Sequence, residues 1–130
     1  MFQVNFFAPL MLALGLMDEL ADVSSIAGSR VHPFAGSAYS TSKAALSALT
    51  RELAVEFGQL GVRVNAVAPG EIRTAMLSPE TVTLIPRIPL HRLGTPEDVA
   101  DTVHYLCGPG AAYVTGTEIF VTGGEHLYAP

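Results

Sequence analysis

Tryptophan is absent from these 130 residues, and cysteine occurs once. A lone thiol cannot close a disulfide within the chain and fits a reducing compartment, so the expected location is cytoplasmic. Positive charge is scarce: Lys and Arg total 7 against 12 Asp and Glu, a formal net charge of -5. That balance offers no basic footprint for nucleic acid or for an anionic membrane surface. The four histidines, His32, His91, His104 and His126, fall far apart with no ligand-like spacing, so no metal is assigned. Cys107 closes a helical pattern just before Gly108 and Pro109, where a small buried thiol packs well and no cation marks it as reactive.

A membrane-spanning run is missing too. The apolar stretch Phe6 to Met17 has no Lys or Arg before it, holds Pro9 and Gly15, and is shorter than the ~20 residues a spanning helix needs. A buried helix explains it better, with both faces covered, one by a sheet and one by another subunit. Hydrophobic residues make up 49% of the chain, enough for a core and rich for a small soluble domain, so a homo-oligomer is expected. No repeat, low-complexity segment or composition shift divides the chain, and residues 1–130 read as a single domain.

The periodicities that are present alternate between helix and strand. From Ser37 to Phe57 the apolar positions Leu46, Leu49, Leu53 and Phe57 recur at helical spacing, while Arg51, Glu52 and Glu56 lie off that stripe and Gly58 can end the helix. Val62 to Ala68 is a β-branched run between Gly61 and Pro69, as expected of a strand buried on both faces of a parallel sheet. Thr95, Pro96, Glu97 and Asp98 place a hydroxyl cap, a proline and two acids in the order that starts a helix, which runs to about Cys107. Thr117 to Val121 reads as a last strand, left through turn residues Gly123 and Gly124. Between Ala75 and Leu93, Pro79, Pro86 and Pro89 break any long helix, and the stretch reads either as a functional lid or as a mobile surface loop.

Tyr39 and Lys43 stand four residues apart at the start of the first of these helices, with Ser24 and Ser25 upstream. Positions i and i+4 share a helix face, so a phenol and an ammonium can meet there. An unperturbed tyrosine titrates near ~10, and a cation within a few ångströms favours the phenolate. Such a phenol can give a proton to a carbonyl oxygen or take one from an alcohol.

The run from Asp22 to Leu46, carrying Ser24, Ser25, Gly28, Tyr39 and Lys43, resembles the active-site segment of the short-chain dehydrogenase/reductase family. Within that family it is similar to bacterial 3-oxoacyl-[acyl-carrier-protein] reductase-like members. Val4-Asn5-Phe6, the stretch from Arg63 to Thr74, the stretch from Ile88 to Ala100 and the stretch from Tyr113 to Gly124 match further family segments in order. The resemblance implies an α/β fold, a Rossmann-like doubly wound parallel sheet with helices on both faces. It implies an oxidoreductase that uses NAD or NADP to interconvert a ketone and a secondary alcohol, with a small carbonyl or alcohol compound as substrate. Carried over by position, Tyr39 is the general acid/base, Lys43 lowers its pKa and holds the nicotinamide ribose, Ser25 binds the substrate oxygen, and Asn5 positions a water. Tyr39, Lys43, Pro69, Gly70, Ile72 and Thr74 form the cofactor contacts, and Met76, Leu77, Leu84 and Ile85 line the lid. Ser24 is expected to satisfy backbone.

Two departures from the family pattern set further expectations. No Thr-Gly-x-x-x-Gly-x-Gly turn occurs before Asn5, so the sheet is read as partial, lacking the N-terminal dinucleotide-binding βαβ units, and the chain alone is expected to bind NADH or NADPH weakly. The stretch from Leu10 to Leu20 runs almost directly into Val23, so the strand feeding Ser25 is expected to be clipped and poorly paired. A non-catalytic remnant or oligomerisation module is the alternative function.

Overall fold

The structure, a computed structural model, describes residues 19–75 and 77–128. Asn5, the apolar stretch Phe6 to Met17 and Met76 lie outside the described residues. Strands β1 (Glu19–Val23), β2 (Arg63–Pro69) and β3 (Glu118–Val121) form a three-stranded sheet in the order β1-β2-β3, all parallel. Parallel neighbours cannot be joined by a hairpin, and long crossovers carry the helices α1 (Ser37–Gly58) and α2 (Pro96–Cys107).

The two helices cover opposite faces of the sheet, as the residues of β2 dictate. Val64 packs with Leu53 and Ala54 of α1, and Leu20, Leu49 and Phe57 close around them. Val67, an odd number of positions further on and so on the other face, packs with Leu106 of α2 and with Ala111. With a helix on each side, Val64, Asn65, Ala66, Val67 and Ala68 are all buried, which is why this strand is a continuous apolar run. The polar exception is satisfied: the Asn65 amide donates to the Val114 carbonyl at 2.9 Å and accepts from the Thr117 amide at 3.3 Å. This is the expected α/β doubly wound architecture, seen here as one parallel sheet with a helix on each face.

The strand before Ser25 corrects the sequence reading. β1 begins at Glu19, inside the stretch taken to run on toward Val23, and all 5 of its residues pair with β2, from Glu19 opposite Arg63 to Val23 opposite Val67. Leu20 joins the α1 cluster, so sheet packing claims the end of the apolar run. Ser24 extends the ladder by donating its amide to the Val67 carbonyl at 2.8 Å.

Helix α2 starts as its sequence demands. Thr95 caps it by accepting from the Asp98 amide at 3.3 Å, and the Asp98 carboxylate accepts in return from the Thr95 amide at 2.8 Å. Arg92 holds the same carboxylate at 2.7 and 3.0 Å, and that hydrogen bond, with the Thr95 amide, keeps Asp98 far below the usual carboxylate range. Cys107 is exposed rather than buried, because Leu106, 2% exposed, takes the core position one residue earlier. Between Ala75 and Leu93 the chain forms a 3-10 helix, Pro79–Arg87, anchored by buried Thr81 and Leu84, and Ile88 and Leu93 are buried beyond it.

Candidate active site

In an open parallel sheet, ligands bind beyond the carboxyl ends of the strands. There β1 hands over to Ser24 and Ser25, and β2 to Gly70, Glu71 and Ile72. Ser25 caps a short 3-10 turn, Ile26–Gly28, and its Oγ accepts from the Ala27 amide at 3.2 Å. Ser24 faces away: its hydroxyl lies 3.3 Å from the Lys43 carbonyl and 3.0 Å from the Ser47 hydroxyl, which donates to Glu118 at 2.6 Å. The first serine therefore docks the turn onto α1, and the second is left for the cavity.

Gly28 makes that docking possible. A Cβ at this position would stand 2.8 Å from the Lys43 carbonyl carbon and 2.9 Å from the Ala44 nitrogen, so only a glycine lets the turn lie against the helix backbone. The contact falls at Lys43, one turn after Tyr39, and it fixes the serine turn to the part of α1 that carries both side chains.

Tyr39 and Lys43 meet as their spacing predicts, with the ammonium 5.8 Å from the centre of the phenol ring. Lys43 also donates to the Val23 carbonyl at 2.8 Å and so ties α1 to the end of β1. Burial pushes the ammonium below the ordinary lysine value, and the carboxylate of Asp22 opposes that shift. Burial likewise pushes Asp22 up, eased by the hydrogen bond from Thr50 at 3.3 Å and then by Lys43. The two charges thus sustain each other in a partly desolvated place.

Ser25, Tyr39, Gly70, Ile72 and Thr74 all line one cavity of about 600 Å³, with Ile26, Phe34 and Leu77 among its apolar walls. Lys43 stands beside Tyr39 and is not a lining residue, and Pro69 ends β2 behind Gly70. Of the expected lid residues Leu77 reaches the cavity, together with Ser78 and Thr81, whereas Leu84 is drawn into the core and Ile85 lines nothing here.

The cavity also holds residues that sequence reasoning missed. His32 and Glu71 line it and pair through Nε2 and Oε1 at 2.6 Å. Glu125, 5% exposed, lies beside them, its backbone carbonyl accepting from Arg30 and its Oε2 without a partner among the described residues. Burial, then the neighbouring Glu71, push the Glu125 carboxyl above the usual range. Only the shared strand edge brings these positions together, and no short spacing announces them.

A phenol, a serine hydroxyl and Gly70, Ile72 and Thr74 of the turn after β2 face one pocket at the carboxyl edge, with an ammonium behind the phenol, a donor set of the kind that could hold the nicotinamide end of a dinucleotide. Comparisons with known proteins show the chain's relatives. The family described as Enoyl-(Acyl carrier protein) reductase matches residues 5–126. Protein FixR of Bradyrhizobium diazoefficiens is 57% identical over 134 residues, covering 97% of this chain and 48% of that protein. A tropinone reductase homolog of Arabidopsis thaliana is 40% identical over 124 residues, covering 89% and 46%. A 3-oxoacyl-[acyl-carrier protein] reductase of Brucella melitensis, solved with bound NAD, is similar at a TM-score of 0.83 and 34% identity, covering 92% of this chain and 47% of that one. 4-Hydroxyisoleucine dehydrogenase complexed with NADH is similar at a TM-score of 0.89 and 29% identity, covering 98% and 59%. The chain spans about half the length of the curated relatives it matches.

Proposed function

The chain belongs to the short-chain dehydrogenase/reductase family, and from that premise we propose an NAD(P)(H)-dependent oxidoreductase that interconverts a ketone and a secondary alcohol. The observation that carries this reading is that Ser25 and Tyr39 open onto one cavity while the Lys43 ammonium lies 5.8 Å from the Tyr39 ring.

The residues divide the work as follows. The Ser25 oxygen already accepts from the Ala27 amide, so its single proton is left to donate to a substrate oxygen. Tyr39 gives its proton to that oxygen as negative charge develops there, or withdraws one in the oxidising direction. Lys43 stabilises the phenolate that remains, and of its three N–H donors one is spent on Val23. Asn5, outside the described residues, takes the role of holding a water near Lys43. Tyr39, Lys43, Pro69, Gly70, Ile72 and Thr74 hold the nicotinamide end of the cofactor, which when bound supplies or accepts the hydride. The apolar lining from Ile26, Phe34 and Leu77 suits a small carbonyl compound and keeps water from the reacting oxygen.

The 130 residues contain no glycine-rich turn for the pyrophosphate, so by themselves they bind NADH or NADPH weakly. We read them as one domain that works in the cytosol as a homo-oligomer. Support for assembly comes from large apolar side chains left in water, Val55 and Leu60 at 73% exposure among them. Among the described residues no helix is long and apolar enough to cross a membrane.

The test is hydride transfer from deuterium-labelled NADH and NADPH to a panel of ketones by the full-length protein. The expected result is turnover that falls by roughly 10² to 10⁴ in Tyr39→Phe with the fold intact. Turnover unchanged in Tyr39→Phe contradicts the mechanism. Neither cofactor binding nor turnover in the full-length protein leaves the non-catalytic assembly module in its place.

A further inference from the structure

Hydride transfer has no use for the second polar wall of the cavity, lined by His32 and Glu71, with Glu125 at the start of the short 3-10 turn Glu125–Leu127 beside them. We propose that these three side chains bind a divalent first-row cation of the class that accepts mixed nitrogen and oxygen ligands, such as Zn²⁺ or Mn²⁺. The sequence assigned no metal because the ligands share no local spacing.

Geometry makes the first case. One ligand atom from each residue lies within 4.8 Å of the others. Ligands about 2.1 Å from a common ion stand no more than roughly 4.2 Å apart, so the group need close by only about half an ångström. The 2.6 Å pair of His32 and Glu71 must open slightly to admit the ion, and both side chains are partly exposed and able to shift.

The independent observation is the orphaned oxygen of Glu125. This carboxylate is 5% exposed, and although the Glu71 backbone amide donates to it, its Oε2 has no hydrogen-bond partner among the described residues. A buried acceptor without a donor is costly, and native structures rarely tolerate one without a proton, a water or an ion. Gly70 leaves the room: a Cβ there would come within 3.0 Å of that oxygen. Arg30 answers only part of the charge, since its guanidinium donates to the Glu125 backbone carbonyl and its own Nε is likewise unpartnered among the described residues. Two carboxylates against one guanidinium leave a residual negative charge that a divalent cation offsets.

Proton balance follows. The ion takes the place of the proton at His32 Nε2, which moves to Nδ1 and replaces the long 3.3 Å contact from the Phe34 amide. One imidazole and two carboxylates favour Zn²⁺ or Mn²⁺ over Mg²⁺, and cavity water completes the coordination because His32 and Glu71 face that space.

The test is equilibrium dialysis of the full-length protein, stripped with chelator, against Zn²⁺ and separately Mn²⁺, with the bound metal counted by mass spectrometry. The expected result is one ion per chain, with affinity reduced at least tenfold in Glu125→Gln and in Glu71→Gln, and unchanged in His104→Ala on the exposed side of α2. Should Glu125→Gln fail to fold, Glu71→Gln and His32→Ala decide. No stoichiometric ion, wild-type affinity in those variants, or equal loss in His104→Ala each overturns the site.

Discussion

Ser25, Tyr39 and Lys43 sit on one strand-turn-helix unit, whereas His32, Glu71 and Glu125 come from three segments that meet only because β1, β2 and β3 run parallel and exit at one edge. In the first group each position is fixed by contacts inside that one unit: Ser24 on Ser47, Gly28 on Lys43, Lys43 on Val23. The second depends on sheet register, and it leaves a buried carboxylate oxygen of Glu125 without a hydrogen-bond partner among the described residues. A locally assembled site is stiff and its chemistry can be read along the chain. A site assembled across strands is open to an added partner.

Variants can break this contrast. The largest effect is expected for Lys43→Met, which removes both the cation near Tyr39 and the tie to Val23. Turnover should fall on the order of 10²-fold or more while cation binding at the second wall persists, as kinetics and dialysis on the same sample would reveal. Gly28→Ala comes next. Its Cβ meets backbone rather than a flexible side chain, so denaturant melts should show a loss of about 1 to 3 kcal/mol, with reduced turnover as the Ser25 turn lifts from α1.

Thr95→Ala probes how far the cap of α2 supports the site, since Gly94 beside it donates to the Glu71 carbonyl at 2.9 Å and accepts from the Arg73 amide at 2.8 Å. A stability loss of about 1 kcal/mol with site properties intact is expected, and loss of turnover in the folded variant would show the walls to be coupled through that helix. The smallest effect carries a sign. Glu125 holds its proton more tightly when folded, so its favourable contribution is present below its ordinary value of 4.5 and is lost as pH rises through the higher folded value. In chelator, Glu125→Gln should therefore gain on the wild type as pH rises toward neutrality. A gap between the two melting curves that does not change with pH would contradict the assignment.

The sequence discloses what depends on adjacent residues. β2 was legible because burial on both faces imposes a continuous apolar run, and α2 because Thr95, Pro96 and Asp98 write out a helix start. Ser25 and Tyr39 were legible as neighbours, since the serine turn and the start of α1 bring them to the same cavity. β1 was harder: Asp18 and Glu19 interrupt the apolar letters where the strand starts, and only its pairing with β2 marks where it begins. The Pro79–Arg87 3-10 helix was hidden because its prolines signal a break and nothing local shows that Leu84 turns inward. Cys107 was misplaced by one position, a small error on a helix whose inward and outward faces change from residue to residue. The Lys43 link to Val23 and the His32, Glu71 and Glu125 group rest on contacts between distant segments, and no spacing rule reaches them.

The central claim is that Ser25 and Tyr39 act on one substrate oxygen, and a double-mutant cycle on hydride transfer by the full-length protein tests it most directly. Ser25→Ala and Tyr39→Phe should each lower kcat/KM, and the double variant should be little worse than Tyr39→Phe alone, because residues that work as a unit lose their joint effect together. Two losses that simply multiply, or a Ser25→Ala variant as fast as the wild type, would contradict a common reaction centre.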